Sequence, residues 1–394
     1  METRYDKAGP EDYEELIDFA NYVFGHAHGP HDFPALLPKL YKTAYFMDGI
    51  HYLAREEGRI KAAVGAYPLE LEFSGGSLPG RGIGMVSVHP YRRSQGYMRI
   101  LMGMALEDMK RDGVVFSCLG GQRQRYEYFG FTQAGSAYTF TCSEANITHT
   151  LGRQWDTGLS LKEVDADDTA LLDQIYMLHQ SKSLRCLRRR DRLFDILSSW
   201  KAVVLAIIAD THQGDRLEGY IIGNGGNHIS EINMNDLSRL PEAVGLFLCR
   251  QRRREGSGRI TISAGPHEGE KLRILSRFTE NCSQSDAYQF AVFDHLSFLE
   301  PFLVYKAREQ ALPAGSFTFR IEDGPALRLN VNNQGEASLI PEDRGENALT
   351  LKSIDAVRFF CSPLEAATNP VIRNDPFLRC LLPLPLFFES ADQV

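Results

Sequence analysis

Long apolar runs, paired cysteines and an excess of positive charge are all missing from this sequence of 394 residues. No uninterrupted apolar stretch reaches the ~20 residues that a helix needs to cross a bilayer, so the sequence predicts no membrane span. The acidic N-terminus, METRYDKAGPEDYEEL, also lacks the apolar core of a signal peptide. We therefore expect a cytoplasmic protein.

The seven cysteines occur singly, without a CxxC pair, and their number is odd. This pattern indicates reduced thiols and argues against a disulfide framework or a zinc site. The net charge of -8 argues against a nucleic-acid partner and is compatible with a cationic substrate. Two basic clusters, RCLRRRDR at 185–192 and RQRRREGSGR at 250–259, are local exceptions. We interpret them as solvated helix faces or contacts to acidic neighbouring subunits.

The chain length and the changes of pattern along it predict three domains. The first begins with an amphipathic helix closed by Gly25 and continues with strands, a second helix and the buried strand VVFSCL. After a polar linker, the second region repeats the early part of the first without its glycine-arginine turn. Near His295 the pattern changes to one helical stretch followed by short strands separated by Gly, Asn, Asp and Pro.

The turn PYRRSQGYM, residues 90–98, connects a strand to a helix. The first backbone N–H groups of a helix lack intrahelical partners, Gly96 leaves room for an anion, and Arg92 and Arg93 add positive charge. These features predict a pyrophosphate site, although basic helix starts with one glycine also occur on ordinary protein surfaces. The turn lacks the Gly-Lys-Ser/Thr ending of a Walker loop, and it does not match the GxGxxG pattern.

The segment V-x-V-H-P-x-x-R-R-x-x-G-Y-M resembles the acyl-CoA-binding motif of the GNAT acetyltransferases, Q/R-x-x-G-x-G/A, with methionine in place of the small last residue. Downstream, Tyr126 and the FGF run at 129–131 resemble the aromatic-x-x-x-Gly-Phe/Tyr segment of the same family. The resemblance implies acetyl-CoA as co-substrate and no metal. The residues that it assigns to the pantetheine are Val86, Ser87 and Val88, and those that it assigns to the pyrophosphate are Arg93, Ser94, Gln95, Gly96, Tyr97, Met98 and Arg99.

The layout of the whole chain resembles the Eis-type (enhanced intracellular survival) acetyltransferases. It implies an α+β protein with tandem GNAT folds and mixed central sheets, followed by a sterol-carrier-like (SCP2-like) α/β domain. The implied domains are 1–150, 151–292 and 293–394. The resemblance also implies a homo-oligomer, a hexamer as in Eis-type proteins, that acetylates aminoglycosides or lysyl and polyamine acceptors, without nucleic-acid or membrane partners.

Attack of an amine on a thioester needs a donor for the carbonyl oxygen, an acid for the thiolate and an acceptor for the amine proton. We assign the first role to the backbone amide of Val88 and the second to Tyr126. Tyr126 also fits a core aromatic, and Tyr128 competes with it, but the family spacing selects Tyr126. For the third role the resemblance implies the carboxylate of the last residue, here Val394. Water or Glu389 is the alternative, because the aromatic pair FF lies upstream of a polar extension.

Other chemically active residues have competing interpretations. His89 suggests a general base, but we interpret it as structural because it precedes a proline at the turn. The stretch HAHGPHDF, residues 26–33, contains three histidines and matches no standard zinc spacing, so we interpret it as a substrate-side loop. Cys118 lies on a predicted strand without a basic partner, which favours a buried thiol over a nucleophile.

Two other function classes are open on the sequence alone. A carrier or sensor would bind an apolar ligand in the last domain and merely hold CoA in the first, but the intact Tyr126 segment argues against it. An aminoacyl or peptidoglycan-type transferase also has tandem GNAT-like domains, but it uses aminoacyl-tRNA and does not need the CoA turn. We favour an acetyl-CoA-dependent N-acetyltransferase that acts by direct attack in a ternary complex.

Overall fold

The computed structural model describes residues 2–74, 76–153, 155, 158–211, 214–224, 226–322, 324–342 and 348–394. Strands and helices are numbered in chain order. The described residues form three mixed sheets with helices packed against them, which confirms the predicted α+β class. Within this part of the chain, no helix has the length and apolar composition needed to cross a membrane.

The first sheet holds the turn and both motifs that the sequence singled out. In spatial order its strands are Thr3–Lys7 (β1), His51–Glu56 (β2), Arg59–Phe73 (β3), Gly76–Val88 (β4), Phe116–Leu119 (β5), Tyr288–Val292 (β15) and Thr132–Ala134 (β6), with Leu184–Cys186 (β9) beside β3. Its helices are Tyr13–His28 (α1), Phe33–Leu36 (α2), Pro38–Tyr41 (α3), Tyr97–Arg111 (α4) and Arg123–Tyr126 (α5). β4 and β5 are parallel and are connected by α4.

The second sheet has a similar plan, with one parallel pair connected by a helix. In spatial order its strands are Asn281–Ser285 (β14), Ala137–Ser143 (β7), Arg259–Ala264 (β13), His228–Met234 (β12), Gly214–Asn224 (β11), Val203–Thr211 (β10) and Leu159–Glu163 (β8). Its helices are Glu144–Leu151 (α6), Thr169–Gln180 (α7), Leu193–Leu197 (α8), Leu240–Glu255 (α9) and Gly269–Phe278 (α10). The parallel pair is β12 and β13, and α9 connects them.

The C-terminal region forms the third sheet. Its strands are Ala337–Glu342 (β18), Ala326–Val331 (β17), Gly315–Ile321 (β16) and Leu349–Leu351 (β19), and its helices are His295–Glu309 (α11), Ser353–Cys361 (α12), Pro363–Thr368 (α13), Pro370–Asn374 (α14) and Pro376–Leu381 (α15). One apolar cluster joins this region to the first sheet, because Phe116 of β5 and Phe290 of β15 pack with Phe298 and Phe302 of α11.

The first two sheets exchange strands near residue 150 and near the end of the second sheet. β7 precedes that position but lies in the second sheet, and β15 follows the second sheet but lies between β5 and β6. The chain leaves the first sheet at Gly135, which has a φ of +76°. A Cβ there would lie 2.6 Å from the carbonyl oxygen of Leu386, so glycine fits both the turn and the contact.

The first helix is longer than the sequence predicted. It continues past Gly25 to His28 and is closed by Gly29, whose φ is +89° and whose amide donates to the Gly25 carbonyl at 3.0 Å. A glycine inside a helix costs only about 1 kcal/mol, which packing readily offsets. The first part of the stretch at 26–33 is therefore helical, and our prediction of a loop there was wrong for these residues.

The last residues, from 382 onward, run along both of the first two sheets as a tail. The amide of Ser136 donates to the Leu386 carbonyl at 2.9 Å. The Phe388 ring stacks on Phe290 with 5.5 Å between ring centroids, and Glu389 pairs with Lys182 at 2.9 Å. The tail is therefore part of the protein interior.

Candidate active site

A bulge in β4 opens the first sheet beside β5. Met85 has a φ of +53°, and the register between β3 and β4 shifts opposite this position. The parallel pairing of β4 with β5 ends at Ile83 and Leu119. Beyond that pair, β4 continues to Val88 with no β5 partner beside it, which leaves a gap of the kind that bulges create next to active sites.

The backbone amide of Val88 points into this gap. The amide of the next residue, His89, donates to the carbonyl of Lys61 in β3 at 2.8 Å. Amides alternate in direction along an antiparallel strand, so the Val88 N–H faces away from β3. The buried hydroxyl of Ser87 in the same segment has no hydrogen-bond partner among the described residues. Both groups fit a polar ligand in the gap.

The turn after β4 presents free amides. Gly96 has a φ of +80° and precedes α4, and no side chain caps this helix end. The helix thus starts at Tyr97, while Ser94 and Gln95 lie in the turn before it. A Cβ at Gly96 would meet no atom of the described residues within 4 Å, so the space in front of the first helical amides is open. This geometry suits an anion.

The two arginines of the turn, Arg92 and Arg93, have different environments. Arg92 pairs with buried Glu56 at 2.7 Å, and the hydroxyl of Tyr97 also donates to Glu56. These hydrogen bonds lower the pKa of Glu56 and anchor both ends of the turn. The side chain of Tyr97 is thus committed, and only its backbone amide is available to a ligand. Arg93, in contrast, has no ion-pair partner within the described ranges.

A cavity of 610 Å³ follows this surface. The residues that line it are Val23, Phe24, Ala27, Val86, Ser87, Val88, Arg92, Arg93, Ser94, Gln95, Gly96, Tyr97, Met98, Arg99, Gln122, Arg125 and Phe129. The structure thus brings the residues predicted for acetyl-CoA to one wall. The sequence analysis missed Arg125 and the contribution of α1. The one sequence feature that could have indicated Arg125 as a lining residue is its position next to Tyr126.

Tyr126 is buried next to a glycine pair at the end of β5. A Cβ at Gly121 would lie 2.6 Å from the Tyr126 ring, so only glycine permits this contact. Burial raises the pKa of the Tyr126 phenol, which keeps it protonated at neutral pH. Tyr128 is 73% exposed and packs on Phe129. Of the two tyrosines, Tyr126 is the one that lies in the interior.

The side chain of Val394, the last residue, packs against β4. Cβ atoms at Gly82 and Gly84 would lie 2.1 and 2.4 Å from the Val394 methyl groups, so both positions require glycine. The hydroxyl of Tyr288 donates to the Val394 main-chain oxygen at 3.2 Å. That hydroxyl also lies against Gly120, which precedes the glycine that contacts Tyr126. Tyr288 therefore lies between the tail and the Tyr126 segment.

Charged side chains from distant parts of the chain hold the end of the tail. The ammonium of Lys39 donates to the carbonyls of Ala391 at 2.6 Å and Gln393 at 2.5 Å, and burial lowers its pKa to about 8. Arg188 is fully buried and pairs with Asp392 at 2.8 Å.

Glu389 is held elsewhere. It pairs with Lys182 and lies among the carboxylates of Glu231 and Glu268, and burial raises its pKa to about 7. It does not line the cavity beside β4. Of the two residues that the sequence suggested as proton acceptors, Val394 has side-chain contacts with β4, whereas Glu389 is paired with Lys182.

His89 is part of the turn. Its Nδ1 accepts from the amide of Tyr91 at 3.3 Å, and its ring faces Tyr22. Burial, with the nearby cations Lys61 and Arg92, lowers the pKa of His89. These contacts fit the structural interpretation of this residue.

The other candidate residues lie apart from one another. His26 stacks on Tyr22, whereas His31 bonds to the Gly29 carbonyl at 2.7 Å. The side chain of His28 lies outside the described part. Among the side chains that the structure describes, no group of three or more His, Cys, Asp or Glu residues is placed to hold a metal ion. Burial raises the pKa of the Cys118 thiol to about 12, as expected for an unreactive core thiol.

Residues 4–134 match the family model described as "Acetyltransferase (GNAT) domain". A search of curated proteins gave no significant match. The similar solved structures include a probable N-acyltransferase of unknown function from Enterococcus faecalis V583, with 17% identity, a TM-score of 0.68 and coverage of 99% of this chain and 100% of that chain. They also include a GCN5-related N-acetyltransferase from Kribbella flavida, with 15% identity, a TM-score of 0.65 and coverage of 100% and 98%. A third, Eis1 from Mycobacterium abscessus, has 13% identity, a TM-score of 0.62 and covers 100% of both chains. At these identities the likeness concerns the fold. Residues 4–134 are therefore similar to a GNAT acetyltransferase domain, the family that the motifs resemble.

Proposed function

We propose that the protein is an acetyl-CoA-dependent N-acetyltransferase that transfers the acetyl group directly to a primary amine. The observation that carries this proposal is the arrangement around the gap in the first sheet. The free amides of the turn and the Val88 residue line the cavity beside that gap, Tyr126 lies in the buried segment that follows β5, and Val394 packs on β4; we assign each of them a role in amide-forming chemistry.

The turn would hold the pyrophosphate of acetyl-CoA. The amides of Tyr97, Met98 and Arg99 supply unpaired donors, and Ser94, Gln95 and Gly96 shape the space before them. Arg93, which no carboxylate neutralises among the described residues, supplies charge. The strand from Val86 to Val88, with the orphaned Ser87 hydroxyl, would pair with the pantetheine arm.

Acetyl-CoA supplies a thioester whose carbonyl carbon can accept an amine. The Val88 N–H would donate to the carbonyl oxygen as negative charge develops on it. The Val394 carboxylate would take a proton from the attacking amine, and Tyr126 would give a proton to the departing sulfur. A C–N bond forms, the C–S bond breaks, and the products are the amide and free CoA.

The wider architecture is proposed on the resemblance and on the sheet order. The second sheet repeats the plan of the first, with β12, α9 and β13 in the places of β4, α4 and β5, which supports tandem GNAT-like folds. Its loop before α9, NDLSR at 235–239, contains no glycine, so a second CoA site is not proposed. The sterol-carrier-like third domain and the homo-oligomer rest on the resemblance alone. The cytoplasmic location and the domain limits 1–150, 151–292 and 293–394 rest on the sequence patterns and are also part of the proposal.

Thiol release from acetyl-CoA, followed with a disulfide dye against aminoglycosides, polyamines and lysyl peptides, tests the proposal. We expect release with at least one amine class. Replacing Tyr126 with phenylalanine should lower kcat by about 100-fold or more, the range of a general acid. The matched control is Tyr128→Phe, which removes an exposed hydroxyl from the same short segment and should leave kcat unchanged. CoA binding without release for any amine would instead support the carrier or sensor function.

A further inference from the structure

A smaller cavity of 150 Å³ borders the last residue of the chain. Leu40, Leu69 and Ile196 supply part of its apolar wall, and the tail supplies Val394. It shares no lining residue with the 610 Å³ cavity. Both cavities border strand β4, because Val394 packs on Gly82 and Gly84, and Val86, two residues further along, lines the larger cavity. Val394 thus joins the small cavity to the strand that carries the proposed acetyl-CoA contacts.

Most of the charged groups in its wall already have partners. Lys39 donates to the tail carbonyls, and Asp392 pairs with Arg188. Arg189 pairs with Asp191 at 2.7 Å. A ligand would have to displace these contacts, so they do not offer a binding site for a new charge.

Arg192 and Glu70 line the same cavity, and neither has an ion-pair partner in the part of the chain that the structure describes. The Arg192 guanidinium carbon lies 4.1 Å from the centre of the Tyr45 ring, and its buried Nε has no hydrogen-bond partner among the described residues. Burial and the neighbouring Arg189 lower the pKa of Arg192. An incoming carboxylate would satisfy this guanidinium, since the two groups form paired, charge-assisted hydrogen bonds.

We propose that this cavity binds the acceptor and that the acceptor is a small amino acid with two amino groups. Its carboxylate would bind Arg192, one ammonium group would face Glu70, and the second amine would meet the Val394 carboxylate and react. The charges agree: Arg192, Glu70 and Val394 together carry one positive and two negative charges, and a diamino acid carries the opposite set. This inference rests on the proposed acetyltransferase function.

The discriminating probe pair is free lysine and lysinamide, in which the carboxylate is replaced by a neutral amide. Thiol release by the full-length protein should show a kcat/KM for lysine at least about tenfold above that for lysinamide, the contribution expected of one charge-assisted pair. Arg192→Gln should raise KM for lysine about tenfold, with little change in kcat, and leave lysinamide unaffected. Arg192→Lys should restore part of the preference because it keeps the charge.

Arg190→Gln is the matched control. Arg190 is an exposed neighbour that pairs with Asp173 and does not line the cavity, so its loss should leave both substrates unchanged. Equal kcat/KM values for lysine and lysinamide, or equal losses for both in Arg192→Gln, would overturn the inference while the acetyltransferase proposal stands. Preference for amines without a carboxylate would do the same.

If no amine releases thiol, calorimetric titration of the protein with CoA and then lysine decides the question separately. Lysine binding that Arg192→Gln weakens about tenfold would support the cavity as an amino-acid site and remove the proposed catalysis. Lysine binding that is absent, or equal in the two proteins, would overturn the site as well.

Discussion

The position of the last residue can be changed without touching its carboxyl group, by adding one methyl group to β4. In Gly82→Ala, the new Cβ would lie 2.1 Å from a Val394 methyl carbon and 3.2 Å from the Val394 Cβ. Carbon atoms in contact normally lie about 3.5–4.0 Å apart, so the Val394 methyl group must move by at least about 1.4 Å, and the Val394 Cβ must move with it. The next nearest atom in the described part of the chain is the Tyr67 carbonyl oxygen, at 4.0 Å.

A displacement of this size should lower kcat by about 100-fold if Val394 takes the amine proton, because a misplacement of 1 Å at a reacting group can cost that much. The free energy of unfolding should fall by about 1–3 kcal/mol, the usual cost of overpacking. Thiol release measures kcat and urea titration measures stability. Gly76→Ala is the matched control in the same strand, since no atom of the described residues lies within 4 Å of the Cβ that it would gain.

Deletion of Val394 completes the test as a double-mutant cycle. If Gly82→Ala acts through the tail, it should have no further effect on kcat in a protein that already lacks Val394. An unchanged kcat in Gly82→Ala alone, or a full additional loss in the shortened protein, would refute the assignment of Val394.

Further predictions concern the anchors of the turn and of the tail. Glu56→Gln removes the charge that holds Arg92 and Tyr97, and it should raise the Kd for CoA about tenfold in calorimetry. An unchanged Kd would show that the turn keeps its conformation without this charge. Because burial lowers the pKa of Lys39 from 10.5 to about 8, the unfolded chain binds more protons between these pH values, and this group makes the free energy of unfolding rise with pH across that window. Urea titrations from pH 8 to 10.5 should show a flatter curve for Lys39→Met, and parallel curves would contradict the burial of its charge. Phe388→Ala should lower the free energy of unfolding by about 3–5 kcal/mol, since the ring is stacked in the shared core; a loss below about 1 kcal/mol would contradict this packing.

Local patterns carried the prediction of the turn and of Tyr126. The proline, the arginines and Gly96 are adjacent in sequence, and the geometry they form depends on neighbouring backbone angles. The same local reasoning misjudged the end of α1, where tertiary packing carries the helix through Gly25. It also could not reveal that Glu56 neutralises Arg92, because β2 and the turn meet only in the folded sheet.

The tail and the strand exchange depend on contacts that no local pattern reports. Val394 is held by Lys39, Arg188 and Tyr288, directly or through its neighbours, and these residues lie in three separate parts of the chain. The sequence therefore left its role open between several groups. β7 and β15 have ordinary strand patterns, and nothing in those patterns states which sheet each one joins.

The exchange of β7 and β15 also determines when the N-terminal half of the molecule can mature during synthesis. β5 ends at Leu119, but the strand that fills the space between it and β6 begins only at Tyr288. Until that segment leaves the ribosome, β5 and β6 expose strand edges that invite pairing with other chains. The part of the protein that is made first is thus completed only after the second sheet has been made, and a nascent chain interrupted between the two would be prone to aggregate.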